Sequence, residues 1–180
     1  MIFTQPLAFI DVETTGFDSD TAEIIELGVV IAKLKDGELI VTDQLDLKIH
    51  PEHIETAEAG ALRVNGYNEA DWLFAVTLED AMKSFADKTD GAIFVAHNLT
   101  FDYSFIKEAF KKTGIENKMH YHKLDTITLA FAILHNQDDM NRFSLKALTE
   151  YYSIENKKAH SAFADAYATY ELFKKLLNLK

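Results

Sequence analysis

The sequence predicts an α/β domain in which a mixed sheet is flanked by α-helices. Three β-rich segments come first, at Leu7–Val12, Glu23–Lys33 and Glu38–Ile49. Turn-forming runs at residues 16–20 and 35–37 separate them, which is typical of a three-stranded antiparallel meander. From Glu55 the hydrophobic pattern becomes helical and surrounds one further short apolar strand, Ala92–Ala96. This order indicates layers of sheet and helix around one core.

Six helices are predicted after the first three strands. They cover Glu55–Val64, Thr77–Lys88, Thr100–Thr113, Thr126–His135, Ser144–Tyr152 and Ser161–Leu177. Ser144 can cap the fifth of these helices, while Phe143 and Leu148 occupy the two positions of a hydrophobic staple. Asp125 is expected to cap the helix that begins at Thr126. The last helix has an aromatic stripe on one face, which predicts core packing.

Length and composition predict one domain spanning residues 1–180 and exclude several classes of site. The chain has no cysteine, so disulfides and thiolate metal sites are excluded, and a reducing, cytoplasmic location is expected. No basic residue occurs in the first 32 positions and no apolar run is long enough to span a bilayer. We therefore expect a soluble protein with no membrane partner.

The most informative pair of residues is Asp11 and Glu13, at the end of the first apolar run. A strand has a side-chain period of two, so both carboxylates are expected to point from one face into one small volume. Each negative charge disfavours ionisation of the other, and a divalent cation is the simplest compensation. The sequence therefore predicts part of a metal site here.

Two further acids can complete such a site. Asp102 is expected in the first turn of the helix that follows the strand ending near His97, where sites of α/β proteins gather. Asp165 follows His160 by five residues, which is out of phase on a helix. Their side chains can converge only if His160 lies in the loop before the helix, and Ser161 is a suitable capping residue for that arrangement. Taken alone, Asp102 is more simply explained by its favourable interaction with the helix N-terminus, and His160 by a solvated or capping position.

Together these motifs resemble the DEDDh family of 3′ to 5′ exonucleases. The resemblance rests on residues 9–16 (FIDVETTG), 24–28 (IIELG), 97–102 (HNLTFD), 124–126 (LDT) and 160–166 (HSAFADA), and it covers nearly the whole chain. Within the family the chain is most similar to the epsilon proofreading subunit of bacterial DNA polymerase III and to stand-alone relatives such as ribonuclease T. The resemblance implies a ribonuclease H-like fold with a mixed five-stranded sheet flanked by α-helices.

The resemblance also implies a catalytic mechanism. The expected catalytic residues are His160, Asp11, Glu13, Asp102 and Asp165, and the four acids would hold two divalent cations, Mg²⁺ or Mn²⁺. His160 would be the general base, and the product would be a nucleoside 5′-monophosphate. Thr14, Thr15, Gly16, Phe17 and Asn98 are the expected substrate-binding residues. Phe17 could stack on a terminal base or simply anchor its turn.

The expected partner is a single-stranded 3′ end of DNA or RNA, but the net charge of −11 argues against extensive contact with phosphates. A site that grips a few terminal nucleotides, helped by Lys157 and Lys158, would need little basic surface. We expect weak affinity for long duplexes. The chain ends soon after its last predicted helix, where the epsilon subunit has an extension that binds polymerase and clamp, so attachment to a polymerase or clamp is doubtful. Relatives include monomers and dimers, and a homodimer is left open.

Two other classes of function fit part of the pattern. One is a phosphatase or phosphotransferase with Asp11 as nucleophile, although Glu13 replaces the second aspartate of such enzymes and the pairing of His160 with Asp165 has no role there. The other is a non-catalytic binding module on the same fold. Trapping of a phospho-aspartyl intermediate would favour the first, and calorimetry without Mg²⁺ or Mn²⁺ binding would favour the second.

Overall fold

The computed structural model describes residues 4–137, 140–156 and 160–178. The strands are β1 (Leu7–Thr14), β2 (Ile24–Lys35), β3 (Glu38–Lys48), β4 (Ile93–Ala96) and β5 (Lys123–Asp125). The helices are α1 (Ala59–Asn65), α2 (Leu78–Lys88), α3 (Leu99–Thr113), α4 (Thr126–Leu134), α5 (Leu145–Tyr151) and α6 (Ala162–Leu176).

The strands form one mixed five-stranded sheet in the order β3-β2-β1-β4-β5. β1, β2 and β3 pair antiparallel, which confirms the predicted meander, while β4 pairs parallel with both β1 and β5. Consequently the carboxyl ends of β1, β4 and β5 lie at the same edge of the sheet. That edge is where a ligand site is expected in such folds.

The predicted helix at Glu55–Val64 is wrong at its start. A single 3₁₀ turn covers Ile54–Thr56, and α1 begins only after Glu58. The intervening chain is extended because Glu58 bonds to the loop after β1: its backbone N–H donates to the carbonyl of Thr15 at 2.8 Å. A tertiary contact therefore overrides the local helical pattern.

The other predicted helices are present, and none of their bounds is shifted by more than one residue. Ser144 caps α5 by accepting a hydrogen bond from Ala147 N, and Asp125 caps α4 by accepting from Ile127 N, as predicted. Ser161 occupies the N-cap position of α6, but its side chain makes no capping bond. The expected cap at Ser161 is thus wrong.

The two faces of the sheet bury different cores, and the alternation of β1 decides which residues reach the site. Ala8, Ile10 and Val12 pack against α2 and α3, whereas Leu7 and Phe9 pack with residues of α6. Because alternate side chains of a strand point to opposite faces, Asp11 and Glu13 continue the row that faces α6. The core therefore fixes the direction of both carboxylates.

The same alternation holds on β2. Val30 and Ala32 belong to the core beside α6, so Gly28 and Glu26 also lie on that face. Within the described ranges, no helix is both long and apolar enough to cross a membrane.

Candidate active site

Asp11 and Glu13 lie near the carboxyl end of β1, both partly exposed, with the buried Val12 between them. Glu13 pairs across the sheet with Glu26 of β2. This is the arrangement that the strand period predicts: two carboxylates on one face, at the edge where β1 and β4 end.

Asp102 reaches the same edge from α3. It lies in the first turn of the helix, is 3% exposed, and its Oδ1 accepts the backbone N–H of Val12 at 3.0 Å. Asn98 makes the corner between β4 and α3 in a left-handed conformation with φ 70°, which asparagine tolerates better than most residues. Asp125 fixes this corner by accepting the N–H of Leu99 at 3.1 Å. The corner therefore places Asp102 directly beside β1.

His160 and Asp165 approach from the start of α6. His160 lies in the turn before the helix with φ 70°, and its backbone N–H donates to Asp165 Oδ2 at 3.0 Å. Asn156 donates to the other oxygen of Asp165 at 2.5 Å. One ligand atom from each of Glu13, His160 and Asp165 lies within 4.8 Å of the others. His160 is therefore in the loop and Asp165 in the first turn, the geometry in which the two can converge.

Burial and nearby negative charge raise the pKa values of Asp11, Glu13 and Asp102. Burial, followed by the charge of Asp102 and then the other nearby acids, raises the pKa of Asp11 well above its usual range. Burial and the charge of Asp165 raise the pKa of Glu13 to about 7. Burial raises the pKa of Asp102 to about 8, although the hydrogen bond from Val12 opposes this. The protein thus keeps several carboxylates together where their charges are unfavourable.

This donor set fits hard divalent cations. Carboxylate oxygens are the ligands that Mg²⁺ and Mn²⁺ prefer. Burial, together with neighbouring negative charge, disfavours ionisation of Asp11, Glu13 and Asp102, and bound cations would offset that cost. Glu13, His160 and Asp165 form a group that can hold a metal, and Asp11 and Asp102 lie beside them.

The loop after β1 is held by α1. Asn65, which is buried, donates from Nδ2 to the carbonyl of Thr14 at 3.0 Å. Glu58 Oε1 accepts the backbone N–H of Phe17 at 3.2 Å. A Cβ at Gly16 would lie 2.6 Å from Glu58 Oε1, so the absent side chain makes room for this carboxylate. The loop therefore has a fixed backbone at the edge of the site.

Phe17 lies in this loop, and 77% of its surface is exposed. Its ring meets the edge of the Phe101 ring at a centroid distance of 6.4 Å, and Phe101 in turn packs on Phe105 at 5.0 Å. Thr14 and Thr15 are buried beside it. Phe17 therefore has an aromatic support on one side while most of its ring remains open to solvent.

Several residues of this region were not singled out from the sequence. His97 is half-buried and bonds to Thr126 Oγ1 and to the carbonyl of Phe143, both at 2.9 Å, and burial lowers its pKa. Glu58, Asn65, Glu26 and Asn156 were missed as well; only Glu26, an acid inside the apolar run of β2, gave a signal that could have found it. Lys157 and Lys158 lie outside the described residues.

Fold and site together define the class: a ribonuclease H-like domain with an acidic edge whose side chains fit a divalent cation. The sequence profile described as Exonuclease matches residues 8–173, and the chain belongs to this exonuclease family.

Individual relatives agree with this assignment. A ribonuclease T from Shewanella oneidensis is 33% identical over 184 residues, covering 94% of this chain and 80% of the relative. A PolC-type DNA polymerase III from Caldanaerobacter subterraneus is 33% identical over 169 residues, covering 93% of this chain. The chain spans only 11% of that polymerase. The similarity thus extends both to a protein of comparable size and to a small part of a very large one.

Solved structures support the fold. An exonuclease I structure, described as suggesting how processivity is achieved, superposes with a TM-score of 0.79 at 16% identity, covering 97% of this chain and 42% of that one. Escherichia coli exonuclease I in complex with a dA16 oligonucleotide gives a TM-score of 0.79 at 18% identity, again covering 97% and 42%. At these identities the likeness establishes the ribonuclease H-like architecture.

Proposed function

We propose that this chain is a metal-dependent 3′ to 5′ exonuclease that releases nucleoside 5′-monophosphates from single-stranded 3′ ends. The observation that carries the proposal is the convergence of Glu13, His160 and Asp165 within 4.8 Å, beside two further acids whose pKa values are raised. Family membership gives the reaction class, and the exonuclease I complexes with oligonucleotides show that a protein of this fold binds single-stranded DNA.

Asp11, Glu13, Asp102 and Asp165 are the residues that would hold the cations. Two divalent ions, Mg²⁺ or Mn²⁺, would when bound supply activation of a water and stabilisation of the leaving 3′ oxygen. The charges of Asp102, Asp165 and Glu13 all act on Asp11, so its carboxylate is the one that we propose would be shared by the ions. The four acids contribute no proton transfer in this scheme.

His160 is the proposed general base. Its imidazole would accept a proton from the attacking water at an unprotonated ring nitrogen and later release it to solvent. The positive φ of the residue and the bond from its backbone N–H to Asp165 hold the ring at the mouth of the site. A base in a turn, outside the helix, can reach a substrate that enters from solvent.

The loop from Thr14 to Phe17 is the proposed binding site for the terminal nucleotide. Its backbone is fixed by Asn65 and Glu58, so it can present peptide groups to a sugar without reordering. The exposed ring of Phe17 is suited to stack on a base, and Asn98 at the β4–α3 corner can contribute a side-chain amide. DNA and RNA are both candidate substrates, because the relatives include a DNA polymerase and a ribonuclease.

A product assay tests this proposal. Purified protein is incubated with 5′-labelled single-stranded DNA or RNA, with EDTA or with Mn²⁺, and products are separated by chromatography. We expect Mn²⁺-dependent shortening from the 3′ end with release of 5′-monophosphates. Asp11→Asn should abolish release, whereas Asp36→Asn, an equal change in the exposed turn between β2 and β3, should not.

The outcomes separate the alternatives. Release by Asp11→Asn at the rate of the native protein would contradict the metal-ligand role. A trapped phospho-aspartyl enzyme would instead support a phosphatase, and a folded protein that binds no Mn²⁺ would support a binding module. Comparing the rates of nucleotide release from DNA and RNA of the same base sequence then decides which nucleic acid is the preferred substrate.

A further inference from the structure

Three side chains form a row across the sheet beside the site. Glu13 of β1 pairs with Glu26 of β2, and Glu26 pairs with Lys48 of β3. Residues directly opposite each other on neighbouring strands share a face, so all three point toward the start of α6. The middle residue of this row has no role in the mechanism described above.

Glu26 is a buried acid with two separate partners. It is 7% exposed, its Oε2 accepts the backbone N–H of Ala162 at 3.1 Å, and its Oε1 accepts from Lys48 Nζ at 3.0 Å. Ala162 is the first residue of α6, where a backbone N–H lacks a partner within the helix. Glu26 of β2 therefore accepts a hydrogen bond from a free N–H group at the start of α6, whereas the side chain of Ser161 accepts none.

Lys48 is itself held in place. Its Nζ lies 3.3 Å from the centroid of the Trp72 ring, and the Trp72 indole N–H donates to the carbonyl of Ile25 at 3.0 Å. Lys48 thus supplies a fixed positive charge to a carboxylate that faces other acids. This compensation allows Glu26 to remain buried at the edge of an acidic site.

The glycine at position 28 allows the start of α6 to lie in close contact with β2. A Cβ at this position would lie 2.2 Å from the backbone carbon of Ala162, a distance that no side chain allows. The start of α6 therefore rests directly on β2 at Gly28, two residues along the strand from Glu26. Close approach and the hydrogen bond act on the same residue, Ala162.

We propose that Glu26 is a positioning residue: its carboxylate fixes the start of α6 on β2 and thereby sets the places of His160 and Asp165 relative to Glu13. His160 lies two residues before Ala162 and Asp165 three residues after it, so a shift of Ala162 moves both. The assignment rests on the proposed function for its kinetic part, while the geometry of the metal-binding group can be tested without turnover.

Two substitutions distinguish the effect of the length of the Glu26 side chain from the effect of its charge. Glu26→Asp keeps the charge but withdraws the carboxylate by about 1.5 Å, the length of one C–C bond. Glu26→Gln keeps the reach and an oxygen acceptor for Ala162 N–H but loses the charge, while Lys48, whose side chain is 39% exposed, keeps its contacts with Trp72 and with water. Asp43→Ala is the matched control, because it also removes an acid that pairs with a lysine, Lys88, away from the start of α6.

The first measurement is Mn²⁺ binding by calorimetry, with folding verified by circular dichroism. We expect Glu26→Asp to raise the Kd by about tenfold to a hundredfold, the usual range for residues that orient metal ligands. Glu26→Gln should stay within about threefold of the native Kd, and Asp43→Ala should leave it unchanged. A native Kd in Glu26→Asp overturns the proposal, as does a Glu26→Gln Kd as weak as that of Glu26→Asp, since charge would then be the cause.

The second measurement is kinetic. Glu26→Asp should lower kcat for an oligonucleotide with KM within about twofold of the native value, and Glu26→Gln should restore kcat, because positioning affects the chemical step more than strand binding. If the native protein releases no nucleotide, the proposed function fails while the Mn²⁺ series still tests the positioning role. If the native protein is active and Glu26→Asp matches it in kcat and Kd, only the positioning role fails.

Discussion

At the scale of single residues, His160 could serve the site in two ways. One of its ring nitrogens lies within 4.8 Å of an oxygen of Glu13 and of an oxygen of Asp165, a distance compatible with shared metal ligation as well as with a base beside bound water. Its exposed position in a turn favours the base, because a structural ligand is normally enclosed and braced by a further hydrogen bond. The two roles predict different effects on metal affinity.

Replacing His160 with glutamine should therefore lower kcat and leave metal binding nearly intact. A general base contributes about a hundredfold to ten-thousandfold in rate, so a loss of kcat in that range is expected. The four carboxylates remain, and the Mn²⁺ Kd from calorimetry should change by less than about threefold. A large loss of Mn²⁺ affinity with His160→Gln would identify the residue as a ligand instead.

At the scale of secondary-structure elements, α1 acts as a brace for the loop after β1. Asn65 Nδ2 bonds to the carbonyl of Thr14, while its Oδ1 accepts the N–H of Tyr67. Glu58 at the other end of the helix bonds to the backbone of Thr15 and Phe17. The helix contributes none of the proposed catalytic groups, so its effect on function should come through the loop alone.

Asn65→Ala should weaken substrate binding more than it slows the chemical step. Removing both hydrogen bonds of a buried amide should lower the free energy of unfolding by about 1–3 kcal/mol, measured by urea denaturation. KM for a short oligonucleotide should rise while kcat stays near the native value, because the metal-binding acids are untouched. A fall in kcat at constant KM would show that the loop takes part in the chemical step.

The elements also show what the sequence could predict. Period-two alternation places Asp11 and Glu13 on one face of β1, and the start of a helix predicts the position of Asp102. The resemblance implies a fifth strand, but the local pattern does not locate β5, because its three residues at the sheet edge contain too few positions for any periodicity. The length and the ends of longer elements can be predicted from the local hydrophobic pattern. The formation of a short edge strand depends instead on hydrogen bonds to the neighbouring strand.

The hydrogen bonds between residues far apart in the chain could not be predicted from the sequence either. The bond from Asn65 to Thr14 spans 51 positions and that from Ala162 to Glu26 spans 136. No local pattern marks such partners, since an asparagine in a helix or an acid in a strand is unexceptional by itself. The proposed catalytic side chains could therefore be named from motifs, whereas the residues that contact them could be identified only from the fold.

At the scale of the whole molecule, four of the acids that contribute to the net charge of −11 lie together at one edge of the sheet: Asp11, Glu13, Asp102 and Asp165. Asp11, Glu13 and Asp102 all have raised pKa values, with burial as the first cause and neighbouring acids as the second for Asp11 and Glu13. A carboxyl group with a higher pKa in the folded state binds protons more tightly there than in the unfolded chain. Its contribution to stability is therefore lost as pH rises.

The metal-free protein should consequently be less stable at pH 8 than at pH 5. The free energy of unfolding is expected to fall from about pH 4, where unfolded carboxyls titrate, to the folded values of about 7 for Glu13 and about 8 for Asp102. Each pKa unit corresponds to about 1.4 kcal/mol, so the two groups together should lower the free energy of unfolding by several kcal/mol over this range. Calorimetric Tm values between pH 5 and 8 in EDTA measure it.

Divalent cations should reverse this trend, since they bind the ionised carboxylates of the folded state and compete with protons. Mn²⁺ is expected to raise Tm more at pH 8 than at pH 5. Asp11→Asn should raise the metal-free Tm at pH 8 above that of the native protein, because one repelled charge is removed, and it should also reduce the gain from Mn²⁺. A metal-free Tm that does not fall between pH 5 and 8 would mean that these acids are not held together in solution as in this fold. The same residues would then be unable to concentrate the negative charge on which cation binding, and with it the proposed hydrolysis, depends.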